Sequence, residues 1–267
     1  MYIENRLLQH LHEAQKNYPD KDWFVICLQG SQNYGIADLD SDIDSKMLIL
    51  PTFKDLVFNY KVISHTLEMP DNKEHIDIKD TREYFKIFRK SNINFVEILF
   101  TDWYLTNPMY TDLWLELRRF REELARINPY AAISCMKGMA SEKLHALCHE
   151  YPSRMEYINK FGYDPKQLSH LIRIKYFIVE YVKGEEYKNC IYPKDEEFRK
   201  YLLDVKRNGV GSALKARELA EITFEDICQV ANTWRNYYKN ENDSFANQKL
   251  NDVLYELMER NIKNQLT

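Results

Sequence analysis

Apolar positions along this chain follow one rhythm in its first hundred residues and another afterwards. Leu7, Leu8, Leu11 and Ala14 form a stripe at helical spacing, so Ile3 to Tyr18 reads as a helix stopped by Pro19. Trp23 to Leu28 is almost wholly apolar and reads as a buried strand. Ile43 to Leu50 reads as a second strand, closed by Pro51, and Thr52 to Tyr60 as a short helix. Glu74 to Lys79 alternates: Ile76 and Ile78 share one face, and His75, Asp77 and Lys79 the other, which predicts a third strand. Thr81 to Lys90 reads as a helix with Thr81 as its N-cap. Asn94 to Phe100 is apolar and β-prone.

Beyond Pro108 the period becomes helical throughout. Helices are expected over Tyr110 to Ile127, Tyr130 to Glu150, Pro165 to Lys183, Asp195 to Arg207, Ser212 to Lys239 and Ser244 to Lys263. There is no internal repeat and no low-complexity linker. The expected fold class is therefore α+β: a small mixed-sheet domain over 1–107 and an α-helical domain over 108–267. The boundary at Asn107-Pro108 is a change of structural class, and the two parts are expected to pack together.

Composition narrows the function. The chain has 267 residues, 45% hydrophobic and 29% charged, which suits a soluble globular protein with a real core. Its net charge of -4 argues against wholesale binding of duplex DNA, though not against a local basic patch. The five cysteines are scattered and show no metal-ligand spacing, which predicts reduced thiols in a cytoplasmic protein. No signal peptide or membrane-spanning run is visible, so no membrane partner is expected.

The candidate chemistry starts at Gly30-Ser31 and Asp42-Ile43-Asp44. Alternation along a strand puts Asp42 and Asp44 on one face, where two like charges need a compensating cation. Mg²⁺ is the expected one, since it takes carboxylate oxygens together with substrate phosphates. A solvated acidic turn is the competing reading, because Asp38 and Asp40 stand close by in sequence. Asp77, in the next strand, could reach the same metals if the two strands are neighbours. Three carboxylates could then hold two ions that activate a hydroxyl and stabilise leaving pyrophosphate. Gly30 lets backbone approach a ligand closely, and Ser31 offers a hydroxyl and an N–H to phosphate oxygens.

In this order Gly30-Ser31, Asp42-x-Asp44 and Asp77 resemble the nucleotidyltransferases of the DNA polymerase beta superfamily. Gly-Ser-Gln-Asn-Tyr-Gly with Ser-Asp-Ile-Asp-Ser-Lys is similar, more closely, to the RNA-ligase-associated nucleotidyltransferases of bacteria and phages. The likeness continues in Asn92 to Phe100, in Lys137-Gly138-Met139-Ala140-Ser141, and in Gly162-Tyr163-Asp164-Pro165-Lys166 through His170 and Arg173. It spans about Gln29 to Gly184. It implies that Gly30 and Ser31 contact a triphosphate and that Asp42, Asp44 and Asp77 bind metal. Gln32 departs from the Arg that many relatives carry after Gly-Ser, which removes one phosphate contact.

Lys166, His170 and Arg173 are spaced at four and three, so they share a helix face with Phe177 one turn on. With the resemblance, that face reads as a wall for the triphosphate, with an aromatic near the base; without it, as a solvated face. Ser141 and Lys143 could reach the same cleft from the preceding helix. Lys175 falls among Leu168, Ile172, Val179 and Val182 and must snorkel or lie on a face not fully buried. His145 and His149 have metal-pair spacing but no third ligand, so they read as structural. Glu97, in an apolar run, reads as the partner of a buried base. The 19 tyrosines and 13 phenylalanines are spread through every helix, and the sequence shows no basic groove for base stacking.

The expected function is transfer of a nucleoside monophosphate from a nucleoside triphosphate to an acceptor hydroxyl. Two Mg²⁺ ions (or Mn²⁺) would serve it, with the helical domain closing the nucleotide cleft. Asp42, Asp44 and Asp77 would be the catalytic and metal residues; Gly30, Ser31, Lys166, His170, Arg173 and Ser141 would bind nucleotide. The acceptor stays open between an RNA end, a small molecule and a protein. The alternative is a non-catalytic module of the same fold that senses a nucleotide or neutralises a partner.

Overall fold

The computed structural model describes residues 2–37, 41–70, 74–239 and 243–266. It is α+β, with a mixed sheet and many helices. The chain divides into two compact units: Met1–Asn33, Asp38–Asn128 and Asn242–Thr267 form the first, and Tyr34–Ala37 with Pro129–Glu241 the second.

The first unit begins with α1 (Tyr2–Asn17), β1 (Trp23–Gln29), β2 (Asp44–Ile49) and α2 (Phe53–Val57). It continues through β3 (Ser64–Glu68), β4 (His75–Asp80), α3 (Thr81–Phe88), α4 (Ile93–Val96), β5 (Tyr104–Thr106), α5 (Thr111–Arg119) and α6 (Arg121–Ala125). The strand order is β3-β4-β2-β1-β5. β2 and β4 run parallel; the other neighbours are antiparallel. So the strands carrying Asp44 and Asp77 are neighbours, as the expected geometry required.

β1 is apolar along its length because both sheet faces are covered. On one face Leu7, Leu11 and Ala14 of α1 pack on Ile26, Met47, Ile49, Ile76 and Ile78. The β1–β2 register shifts between Trp23 and Val25, and Phe24 packs edge-on against Tyr110 and Trp114. The bulge thus lets one short strand feed two cores.

Three local expectations change. Asn94 to Phe100 is not β: it forms α4 followed by a 3₁₀ turn over Glu97–Leu99. The Asn92 side chain accepts from the Asn94 N–H at 3.0 Å, a helix N-cap that decides between strand and buried helix. Glu97 is buried in that turn rather than in a strand. The cap of α3 is Asp80, not Thr81: its carboxylate accepts from the Arg82 N–H at 2.8 Å. The helix expected over Tyr110 to Ile127 is two, broken at Phe120. β3 and β5 were not anticipated; β3 is mostly exposed and β5 spans only Tyr104–Thr106.

The second unit holds α7 (Pro129–Ala146), α8 (Met155–Phe161), α9 (Pro165–Val182), α10 (Tyr187–Ile191), α11 (Glu196–Asn208) and α12 (Ala213–Tyr237). α9 is its centre: α7, α10, α11 and α12 all pack on it, which is why eleven of its residues are buried. Lys175 escapes that burial by pairing with Asp226 of α12 at the surface. The last helix, α13 (Ser244–Leu266), belongs with the sheet unit. It packs on α5 through Arg260, which binds Asp112 at 2.7 Å, and its Asn261 donates to the Pro51 carbonyl at 2.8 Å.

No described helix is long and apolar enough to cross a membrane. All five cysteines are free thiols.

Candidate functional site

In the sheet unit the candidate residues gather where β1 ends and β2 begins. Gly30 follows β1 with φ +85°, a left-handed conformation that glycine adopts without strain. The chain then turns: the Asn33 N–H donates to the Gly30 carbonyl at 2.9 Å, and the Asn33 side chain donates to the Leu28 carbonyl at 2.9 Å. Ser31 lies in this turn, half-buried. Among the described residues no helix follows the turn, so anion binding there would rest on turn N–H groups and the Ser31 hydroxyl. Gly30 is set close to the acids: a Cβ at this position would lie 3.9 Å from Asp44 Oδ2.

Asp44 opens β2, paired with Gln29 of β1. Asp42 stands before the strand and is exposed, so strand alternation does not place it. The two carboxylates still act on each other. Burial pushes the pKa of Asp44 up, the Asp42 charge adds to that, and His75 opposes it. The His75 N–H donates to Asp44 Oδ1 at 3.1 Å. A carboxylate under-compensated in this way is the kind of group that suits a cation. Asp38 and Asp40 lie outside the described residues.

Asp77 lies on the same sheet face but opposite Lys46, two residues along from Asp44. Lys46 Nζ is 2.7 Å from Asp77 Oδ2, and Lys79 Nζ is 2.8 Å from Oδ1. Among the described residues, no group of three His, Cys, Asp or Glu side chains is placed to hold a metal ion. Lys46 and His75 are the residues of this face that the sequence reading missed. Lys46 is in the quoted Ser-Asp-Ile-Asp-Ser-Lys run, one strand period beyond Asp44, so alternation would have found it.

Behind this face a buried polar network fixes the start of β2. His10 Nδ1 is 2.9 Å from Ser45 Oγ, and its Nε2 is 3.0 Å from Glu74 Oε2. Arg6 Nε donates to the same Glu74 oxygen at 3.0 Å. The other Glu74 oxygen accepts from the Ile43 N–H at 3.3 Å, between the two acids. Burial pulls Glu74 upward, but the bonds from Arg6 and His10 outweigh it and hold its pKa below the usual value. Burial lowers the pKa of His10, and Glu74 offsets only part of that.

In the helical unit the candidates gather on α9. Asp164 caps this helix, accepting from the Lys166 N–H at 2.9 Å, and Pro165 stands first. His170 is half-buried, and its pKa is driven well below the ordinary imidazole value. Desolvation is the largest cause; the positive charges of Arg173, Lys166, Lys143 and Lys206 add to it. Lys166, His170 and Arg173 are thus brought together as the spacing implied, and Lys206 of α11 joins them. Helical spacing within α9 could not reveal Lys206.

Arg173 is only 4% exposed, and its guanidinium lies over the Tyr34 ring, 3.6 Å from the centroid. Its Nε is buried with no hydrogen-bond partner, and no carboxylate pairs with it among the described residues. Tyr34 comes from the Gly-Ser-Gln-Asn-Tyr-Gly stretch and had no assigned part in the sequence reading. Lys206 Nζ donates to the carbonyl of neighbouring Ile36 at 3.2 Å. Phe177 falls away from the cluster. It is fully buried against Tyr181 and Tyr187, so it faces core rather than a base. Ser141 is exposed on α7. His145 and His149 stack near each other at 5.8 Å, with Tyr151 against His149.

No family model matches the chain, and no curated protein matches it. Among solved structures, the chain is similar to a nucleotidyltransferase-like protein from Exiguobacterium sibiricum. The identity is 11% and the TM-score 0.31, over 95% of this chain and 79% of that one.

Proposed function

We propose that this protein is a nucleotidyltransferase that moves a nucleoside monophosphate from a nucleoside triphosphate to an acceptor hydroxyl. The observation that carries the reading is Arg173. A buried guanidinium is costly unless an anion meets it, and this one has an aromatic face but, among the described residues, no carboxylate. His170, on the same helix, feels the positive charges of Arg173, Lys166, Lys143 and Lys206, and a phosphate group is the natural occupant of such a cationic cluster. The Gly30-Ser31, Asp42-x-Asp44 and Asp77 order adds the acids that such a transfer needs.

In this reading Asp42 and Asp44 would hold Mg²⁺ or Mn²⁺, with phosphate oxygens completing the shell. Bound there, the metal would make the acceptor hydroxyl easier to ionise and offset charge on the phosphates. Asp77 would be the third acid and would take the acceptor's proton. The acceptor oxygen bonds to the α-phosphorus, the bond to the bridging oxygen breaks, and pyrophosphate leaves. Gly30 and Ser31 offer N–H and hydroxyl groups to phosphate oxygens, and Ser141 is a further hydroxyl to test. Lys46 and Lys79 do not exhaust Asp77, because a carboxylate has about four acceptor positions.

That lysine clamp also favours a second reading, in which the protein binds a nucleotide without turning it over. One experiment separates them. Each labelled nucleoside triphosphate is incubated with Mg²⁺ and with RNA, protein or metabolite fractions, beside a pyrophosphate-release assay. Transfer by the wild type and none by Asp42→Ala with Asp44→Ala is the expected result. Equal labelling by that variant overturns the mechanism. Calorimetric binding without release over all acceptors gives the second reading.

A further inference from the structure

We propose that the C-terminal end of α12, with the start of α7, is a stacking platform for single-stranded nucleic acid. The acceptor hydroxyl would then belong to a polynucleotide. The acceptor assignment rests on the transferase reading; the binding site does not.

Trp234, Tyr237 and Tyr238 form one aromatic cluster at this end. Trp234 stacks on Tyr238 with centroids 5.9 Å apart, and Tyr237 stands edge-on to both at 5.6 and 5.0 Å. Tyr237 is 68% exposed, so the cluster is not a core. Arg235 lies over the Tyr130 ring of α7, 4.5 Å from its centroid, and hydrogen-bonds that hydroxyl. Lys137 of α7 reaches Asn232 of α12 at 3.4 Å, and Lys239 follows the cluster. Over 129–141 and 227–239 the chain carries no Asp or Glu, and Glu142, Glu241 and Asp243 come just after these stretches.

In a protein of net charge -4, such a stretch with Lys137, Arg235 and Lys239 is a marked local departure. Its two components match the two parts of a single strand. Flat aromatic faces take bases of any identity, and the cations take the phosphates between them. A duplex hides its base faces, and an apolar protein partner would not need the cations. The cluster also accounts for aromatics that core packing leaves unexplained. Helical spacing alone did not reveal it, because Tyr130 and Lys137 come from another helix.

The test is fluorescence anisotropy of labelled 12-nucleotide RNA and DNA strands with the full chain at low salt. Nucleoside triphosphate and divalent metal are left out, so failure of the transfer chemistry leaves this result standing. Wild-type protein is expected to bind both strands. Trp234→Ala with Tyr237→Ala should weaken binding roughly tenfold or more, the loss of one or two stacked bases. Arg235→Gln with Lys239→Gln should lower the slope of log affinity against log salt by about 1.4, two phosphate contacts. Arg235, Tyr237 and Lys239 are exposed and Trp234 is half-buried, so circular dichroism checks that each variant folds. No binding by wild type, or equal affinity in the aromatic variant, overturns the proposal, including the case where the patch serves a protein instead.

Discussion

Lys46 and Asp77 form an ion pair across two parallel strands, Nζ to Oδ2 at 2.7 Å, and Lys46 is only 2% exposed. The same ammonium sits 4.2 Å from the Phe95 ring centroid. Asp77 is therefore the counter-charge of a buried lysine as well as a candidate acid. Asp77→Ala leaves that lysine uncompensated and should cost about 3–5 kcal/mol. Lys79→Ala leaves Asp77 with Lys46 and should cost about 1 kcal/mol or less. Urea unfolding of the two variants checks the order; equal losses would mean the buried pair contributes no more than the outer one.

Asp44 makes stability depend on pH in an unusual direction. Burial, then Asp42, raise its folded pKa above the unfolded value. Between those two values the native state binds more protons, so stability falls as pH rises through the folded pKa. Asp44→Asn keeps an acceptor for the His75 N–H and should stabilise the protein at neutral pH. The gain should vanish below the ordinary carboxylate range. Denaturant titrations at a series of pH values measure both, and Mg²⁺ should stabilise only the wild type.

Glu74 and His10 act with the opposite sign. Both folded pKa values are lowered, so their stability is present at neutral pH and lost as pH falls through them. Glu74→Gln removes the charge that Arg6 and His10 share. It should cost about 3 kcal/mol at pH 7. The acid limb of the stability profile should flatten in the variant, which chemical denaturation from pH 7 to pH 4 would reveal.

Arg173→Met should raise the stability of the free protein by about 1 kcal/mol, since it removes a buried charge whose Nε has no hydrogen-bond partner and which no carboxylate pairs among the described residues. The same change should abolish stabilisation by tripolyphosphate. In wild type that stabilisation should reach about 2.7 kcal/mol when the anion is at 100 times its dissociation constant. Thermal unfolding with and without tripolyphosphate reads both effects. A variant still stabilised by the anion would place phosphate binding elsewhere.

Two glycines of the loop should differ in tolerance. A Cβ at Gly30 meets only Asp44 Oδ2 at 3.9 Å, so Gly30→Ala costs the left-handed backbone term, about 1–2 kcal/mol. A Cβ at Gly35 would lie 2.6 Å from Arg199 Cδ and 2.7 Å from the Tyr192 ring, so overpacking adds to that term and the loss should be about 2–4 kcal/mol. Comparative urea unfolding checks the ranking.

What could be read from residue order was whatever depends on neighbours along one segment. Periodicity located α1, β1, β2, β4 and the long helices within a few residues. It also put Lys166, His170 and Arg173 on one face, because helical spacing is a local property. An apolar run without alternation fits a strand and a buried helix alike, so Asn94 to Phe100 was misread. There the deciding signal was the Asn92 cap.

Folding settled whatever depends on which segments meet. Parallel pairing of β2 with β4 sets Asp77 opposite Lys46 rather than level with Asp44. The turn after β1 delivers Tyr34 to Arg173, and α11 brings Lys206 beside His170. α13 returns to α5 across more than a hundred residues of chain. α7 and α12 together make an aromatic, cation-bearing end that neither shows alone. Partners of this kind are selected by burial and charge compensation between distant segments, and spacing along one segment carries no record of them.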